Sequence, residues 1–167
     1  RSGYDEATTT YRVVPPPGTE RVVFHDLVTT HGGGGSGGCG EFCTTEQSLR
    51  VNDQAFEHAW EQKTTWDCAA RVDQGVTPNQ WGTWYFDRAS WCPGFTGERW
   101  TADITDAFDL SGENTLTLTA TQSGEFPYTG SLAASPVLVF HGGEGAATVE
   151  PVEPERCTNL RERLRDF

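Results

Sequence analysis

The 167 residues include no methionine and one lysine, Lys63. With no methionine even at position 1, Arg1 is expected to follow a cleavage site or a segment boundary. The shortage of lysine leaves eleven arginines against 24 acidic residues and a net charge of −12. That balance argues against non-specific nucleic-acid binding, which relies on basic side chains neutralising phosphates. It argues equally against docking on anionic membranes. No apolar run approaches the ~20 residues of a membrane-spanning helix. No sustained helical period occurs either, apart from Leu160 and Leu164 near the end. No Gly-x-Ser-x-Gly turn is present, so Ser36 reads as part of a flexible run, not as a nucleophile. His25, His31, His58 and His141 share no metal-ligand spacing. Asp103, Asp106 and Asp109 lack the alternation of a calcium loop and read as solvated turn residues. No metal or cofactor is expected.

What is present is concentrated. Four of the five cysteines and five of the six tryptophans fall within residues 37–94. Cys39 and Cys43 are four apart, and Cys68 and Cys92 bracket a loop rich in turn residues. Neither spacing repeats as zinc ligands would. Two disulfides, Cys39–Cys43 and Cys68–Cys92, are expected, and with them an extracytoplasmic location, whether secreted, periplasmic or cell-surface. The second closes a loop of about 25 residues, worth roughly 3–4 kcal/mol by the chain-entropy argument. Cys157 is left over in a polar tail and is expected to bond to another chain or to a further part of this one.

A chain of this length fits one domain. Residues 1–20 are threonine-rich and carry Pro15-Pro16-Pro17-Gly18, which reads as an extended arm or linker, because a proline run cannot join a central ladder. Residues 21–30 have apolar residues on both faces, the pattern of a central strand. His31 opens the low-complexity run 32–38, either a flexible bridge or a rim where backbone approaches a ligand. Residues 47–51, 99–104, 115–121 and 136–140 read as strands, and 81–86 as strand-like. In 115–121, leucines and threonines alternate with period 2. Many short strands separated by turns indicate an antiparallel sandwich or jelly roll over 21–141. Residues 142–167 read as a polar tail, in which 158–166 can form a short charged helix that is marginal alone.

Glu41 lies between two closely spaced cysteines. A bridge there would fix its direction, as an acid/base group or electrostatic stabiliser requires. Arg88, beside Asp87 and four residues before Cys92, can hold a carboxylate in one geometry. Trp84, Tyr85 and Trp91 are side chains of the kind that stack on sugars, and His31 sits at the mouth of the glycine run. The candidate site is therefore Glu41 and Arg88 as charged groups, with His31, Trp84 and Trp91 contacting ligand.

Two boxes, Gly38-Cys39-Gly40-Glu41-Phe42-Cys43 and Asp87-Arg88-Ala89-Ser90-Trp91-Cys92-Pro93-Gly94, resemble the G-C-A-E-W-C and D-R-A-G-W-C-P-G boxes of the peptide:N-glycosidase F C-terminal domain family. The likeness extends over residues 21–141 in strand order and is strongest over 37–94. It implies an eight-stranded antiparallel jelly roll, the same two disulfides, and hydrolysis without metal of the amide between asparagine and an N-linked glycan. Glu41 falls on an active-site glutamate, Arg88 on an arginine near it, and Trp91 on a neighbouring tryptophan. The fold is shared with copper monooxygenases, but their His-x-His and methionine ligands are missing here. The family's enzymes use two jelly rolls, and their essential aspartate comes from the first, whereas this chain matches the second. Thr30-His31-Gly32 replaces the family's W-G-H segment, and Ser90 replaces a glycine. The expected role is a secreted module that binds an N-glycan, a glycoprotein or another partner, or builds a larger assembly, inactive as an enzyme alone. The alternative is one half of an amidase whose catalytic aspartate lies in another domain or chain.

Overall fold

The computed structural model describes residues 7–32, 40–60, 67–78, 84–86, 88, 90–122, 131–145 and 147–152. Nine strands are defined among them: β1 Ala7–Val14, β2 Arg21–His31, β3 Thr45–Val51, β4 Gln54–Trp60, β5 Arg99–Asp103, β6 Asn114–Gln122, β7 Ser131–Ala134, β8 Val137–His141 and β9 Thr148–Val152. They form two antiparallel sheets. One has the order β4-β3-β6-β1-β9, and in the other β2 is flanked by β5 on one side and by β7 and β8 on the other. This is the expected all-β antiparallel sandwich. Seven of the nine strands fall within residues 21–141, where eight were expected, and β1 and β9 add to them from the first and last segments; one edge of β2 is shared by two short strands, β7 and β8. Ser135 and Pro136 interrupt the ladder between them, and proline has no N–H to give it.

The core lies between the sheets, where strand alternation sends Val13, Val22, Phe24, Val28, Leu49, Val51 and Leu116 inward. As its two apolar faces suggested, β2 is the centre of its sheet. On the β4/β5 side the sandwich is shut by aromatic rings. His58 stacks on Trp100 at 5.5 Å and meets Trp60 edge-on at 4.7 Å. A polar strut crosses the interior: Gln47 Nε2 donates to Asp26 Oδ2 at 2.6 Å, while the Ser135 N–H donates to Asp26 Oδ1 at 2.9 Å. Burial raises the pKa of Asp26, and these donors only partly oppose it.

The first and last segments are more than arms. Ala7–Val14 sits inside the five-stranded sheet, paired with β6 on one side and β9 on the other. The three prolines begin only at position 15, so they end the strand without excluding it. Within the tail, Thr148–Val152 forms the exposed edge strand next to β1, while 153–167, with Cys157 and the expected helix, lie outside the described residues. The strand-like stretch 81–86 is also corrected. Trp84, Tyr85 and Phe86 form a turn, and their rings pack against neighbouring side chains where a strand would join a ladder. Residues 81–83 lie outside the described set. Asp106 and Asp109 lie in the exposed connection between β5 and β6, as expected, whereas Asp103 is the last residue of β5, exposed and paired with Val23. Asp103 accepts from Thr105 and Arg21, which hold its pKa at about 2, and Asp109 accepts from Ser111.

Candidate functional site

The site forms where β2 ends. Gly32 turns the chain at φ +74°, a conformation that costs glycine little. A 3-10 turn at Gly40–Phe42 then returns beside it. The Glu41 N–H donates to the Gly32 carbonyl at 2.9 Å, and the Gly32 N–H donates back to Glu41 Oε2 at 3.2 Å. Thr30, fully buried, ties the two sequence boxes together. Its hydroxyl donates to the Glu41 carbonyl at 3.0 Å, and its own carbonyl accepts the Trp91 indole N–H at 3.2 Å.

The second box is a tight turn. Arg88 and Trp91 form an isolated antiparallel bridge, and between them Ser90 has φ +73°. Ser90 is held by its hydroxyl, which donates to the Val28 carbonyl, and by its own carbonyl, which accepts the Glu98 N–H at 2.7 Å. A β-carbon at Gly94 would collide with the Thr77 side chain, which accounts for the glycine closing this box. The Cys68–Cys92 disulfide is present and anchors a small cluster with Val76, Phe95 and Trp84. Cys43 is disulfide-bonded as well; Cys39, its expected partner, lies outside the described residues.

These constraints bring Glu41 and Arg88 together. Arg88 Nε lies 3.3 Å from Glu41 Oε1, near enough for charge pairing but oblique for an Nε–H hydrogen bond. The Arg88 side chain is 2% exposed and that of Glu41 17%. The guanidinium lies between two rings, 5.1 Å from the centre of Phe42 and 5.0 Å from that of Trp91, inside cation–π range. Nη1 also donates to the Phe86 carbonyl at 3.1 Å. Burial lowers the Arg88 pKa, and the Glu41 charge works against that shift.

Of the other expected residues, Trp91 and His31 join the pair. Their rings are 5.3 Å apart, with His31 exposed and its Nε2 3.0 Å from the Thr29 hydroxyl. Trp84 stands further off. It packs on the disulfide cluster and, among the described residues, is linked to the pair through Tyr85, Phe86 and Phe42, whose rings touch in succession. Sequence reasoning missed Phe42, Phe86 and Thr30. Phe42 follows Glu41 directly, and a cation two residues after Phe86 or beside Phe42 becomes a signal only once the two boxes are known to meet. Among the described residues no three His, Cys, Asp or Glu side chains gather as a metal-holding set.

Chemically, each Glu41 oxygen already has one partner, Arg88 at Oε1 and the Gly32 N–H at Oε2. A carboxylate offers about four acceptor sites, so Glu41 can still accept a donor from outside in a fixed direction. Trp91 and His31 supply a ring surface beside it. The arrangement defines a β-sandwich bearing a clamped acid–arginine pair under an aromatic rim.

Comparison with known proteins places that class. The family described as Peptide-N-glycosidase F, C terminal, matches residues 2–139, and the chain belongs to it. Among solved structures, PNGase F, a glycosylasparaginase from Flavobacterium meningosepticum, is similar with a TM-score of 0.64 and 20% identity, over 89% of this chain and 50% of that one. A peptide-N(4)-(N-acetyl-β-D-glucosaminyl) asparagine amidase is similar with a TM-score of 0.63 and 22% identity, over 88% and 49%. At this identity the likeness is one of fold. The chain spans about half the length of these structures. No curated protein matches.

Proposed function

We propose that this chain is an extracytoplasmic glycan-binding module of a larger protein or complex, with its ligand site at Glu41, Arg88, Trp91 and His31. The observation that carries the proposal is the Glu41–Arg88 pair, buried between Phe42 and Trp91 and opening onto an exposed histidine. Trp91 offers a ring face to a sugar. Glu41 accepts from a sugar hydroxyl or amide N–H, and Arg88 keeps the carboxylate from rotating. Trp84 stands behind this surface as a secondary contact. The disulfides support the location, and Cys157 is the expected point of covalent attachment to a partner. Titration calorimetry of a glycopeptide carrying the N-linked chitobiose core, against the same peptide without glycan, tests the proposal. The glycopeptide is expected to bind selectively, and His31→Ala and Trp91→Phe to weaken it several-fold. Equal affinity for both peptides would contradict it.

A second reading is favoured by one specific observation: the chain spans about half the length of amidase structures whose fold it shares. On this reading it is one half of a glycoasparagine amidase, and Glu41 and Arg88 position the glycosylamide for a carboxylate supplied by another domain or chain. In the full assembly, Glu41→Gln should then slow release of glycan from a glycopeptide by at least the ~10²-fold typical of losing a positioned electrostatic group. An unchanged rate removes this reading.

A further inference from the structure

The rings at the rim belong to a longer line. Arg88 joins Trp91 to Phe42, its guanidinium 5.0 Å and 5.1 Å from their centres. Phe42 then meets Phe86 at 5.9 Å, Phe86 meets Tyr85 at 4.3 Å, and Tyr85 meets Trp84 at 5.8 Å. Trp91, Phe42, Phe86, Tyr85 and Trp84 are all half-buried, whereas Phe24, Trp60, Trp100 and Phe108 in the core are at most 6% exposed. A contiguous line of half-exposed rings is the kind of surface patch that marks a binding site.

What lies beneath fixes the line in place. Cys92 follows Trp91 in the chain and is bridged to Cys68, and Trp84 packs on the buried cluster around that bridge. One disulfide therefore holds both ends, Trp91 through the chain and Trp84 through packing. A ligand that meets rings already held in place pays less to order them.

The angles between the rings select the shape of the ligand. Phe42 and Phe86 cross at 81°, Phe86 and Tyr85 at 56°, and Tyr85 and Trp84 at 87°. Turned in this way they offer no flat platform, which disfavours one broad fused ring system. They suit a chain of small separate rings joined by rotatable bonds. A sugar residue is such a unit, because its face of C–H groups carries slight positive charge and is drawn to the negative face of an aromatic ring. The line also starts at Glu41, whose remaining acceptor sites take hydroxyl and amide donors, so its polar end fits a saccharide and not a plain hydrocarbon.

Given the rim as a glycan site, on which this inference rests, we propose that the line from Phe42 to Trp84 is an extension of it. The ligand class is then an oligosaccharide longer than chitobiose. Its first sugars sit on the rim at Trp91 and His31, and the following ones lie over Phe86, Tyr85 and Trp84.

The test titrates the intact, oxidised chain with asparagine-linked chitobiose and with the asparagine-linked N-glycan core, in which mannoses extend that chitobiose. Each further ring contact is worth a few-fold in affinity, so the longer glycan is expected to bind about tenfold tighter. Tyr85→Ala should remove most of that gain, and Tyr85→Phe, which keeps the ring, should preserve it. The Trp84 indole N–H resonance of the parent should shift with the longer glycan and stay in place with chitobiose, a readout that decides even where Tyr85→Ala fails to fold. Chitobiose binding at the rim with no gain from the longer glycan, or a Trp84 resonance unmoved by it, would overturn the extension and leave the rim standing. Binding of neither glycan would overturn both. A gain and a Trp84 shift on lengthening the peptide around the asparagine, with none on lengthening the glycan, would assign the line to polypeptide and overturn the oligosaccharide class.

Discussion

Glu41 and Arg88 are unequal partners, and the inequality sets the sign of a double-mutant cycle. Removing one member of a buried ion pair costs about 3–5 kcal/mol when the survivor is left buried and charged. Arg88 is 2% exposed, so Glu41→Gln strands a guanidinium away from water. The rings of Phe42 and Trp91 return about 1–2 kcal/mol of that by cation–π attraction, leaving an expected loss of about 2–3 kcal/mol. Arg88→Met instead leaves Glu41, 17% exposed and still accepting the Gly32 N–H, while methionine fills the gap between the two rings. Its expected cost is about 1–2 kcal/mol. With both changes no buried charge remains, so adding Arg88→Met to Glu41→Gln should restore stability by about 1 kcal/mol rather than lower it further. Urea unfolding of the four proteins with disulfides intact reads this directly. At a slope of about 1–3 kcal/mol per molar, the shifts are several tenths of a molar or more. Costs that add within about 0.5 kcal/mol would refute the reasoning, since additivity is the mark of residues that do not interact.

Other expectations follow from the same physical arguments. Asp26 has its pKa raised by burial, so the stability it permits is full below the unfolded carboxylate value and is lost as pH rises through the folded value. Asp26→Asn can give its amide to Gln47 Oε1 and keep an acceptor for the Ser135 N–H. Its stability relative to the parent should therefore improve between pH 3 and pH 7 in parallel urea titrations, and a constant difference would contradict this. Replacing both Cys68 and Cys92 by alanine, which opens a loop with a sequence separation of 24, should cost about 3 kcal/mol in the same assay. Ser90 has a left-handed backbone that glycine adopts freely, so Ser90→Ala should be less stable than Ser90→Gly by about 1 kcal/mol. Equal stabilities would show that the turn is not strained.

The sandwich was legible because its strands write their period plainly. Leu116 and Leu118 alternate with threonines, and β2 carries apolar residues on both faces. The charged members of the candidate site stood out in the sequence, since Glu41 and Arg88 each sit in a dense cysteine box. Their meeting did not, because it depends on Thr30, whose hydroxyl and carbonyl join the boxes across the end of β2. A threonine in a strand carries no mark of such a role. The first strand was hidden by its neighbours: Pro15-Pro16-Pro17 cannot join a ladder, but the alternation of Tyr11 and Val13 with Thr10 and Arg12 ends before them. Trp84 misled in the opposite sense. An aromatic run resembles a strand in sequence, but the disulfide cluster draws the Trp84 ring inward and turns the backbone. The strut between Asp26 and Gln47 was invisible for a further reason. Each polar residue stands alone in its strand, and only the facing of the two sheets pairs them.

On the proposed reading, a glycan sits on the rim over the Glu41–Arg88 pair. The most direct measurement is the indole N–H resonance of Trp91 during titration with an asparagine-linked chitobiose. This resonance and the His31 ring protons are expected to shift together and saturate, and Glu41→Gln to weaken the binding. A Trp91 resonance that stays fixed while the chitobiose binds elsewhere, or no binding at all, would contradict it.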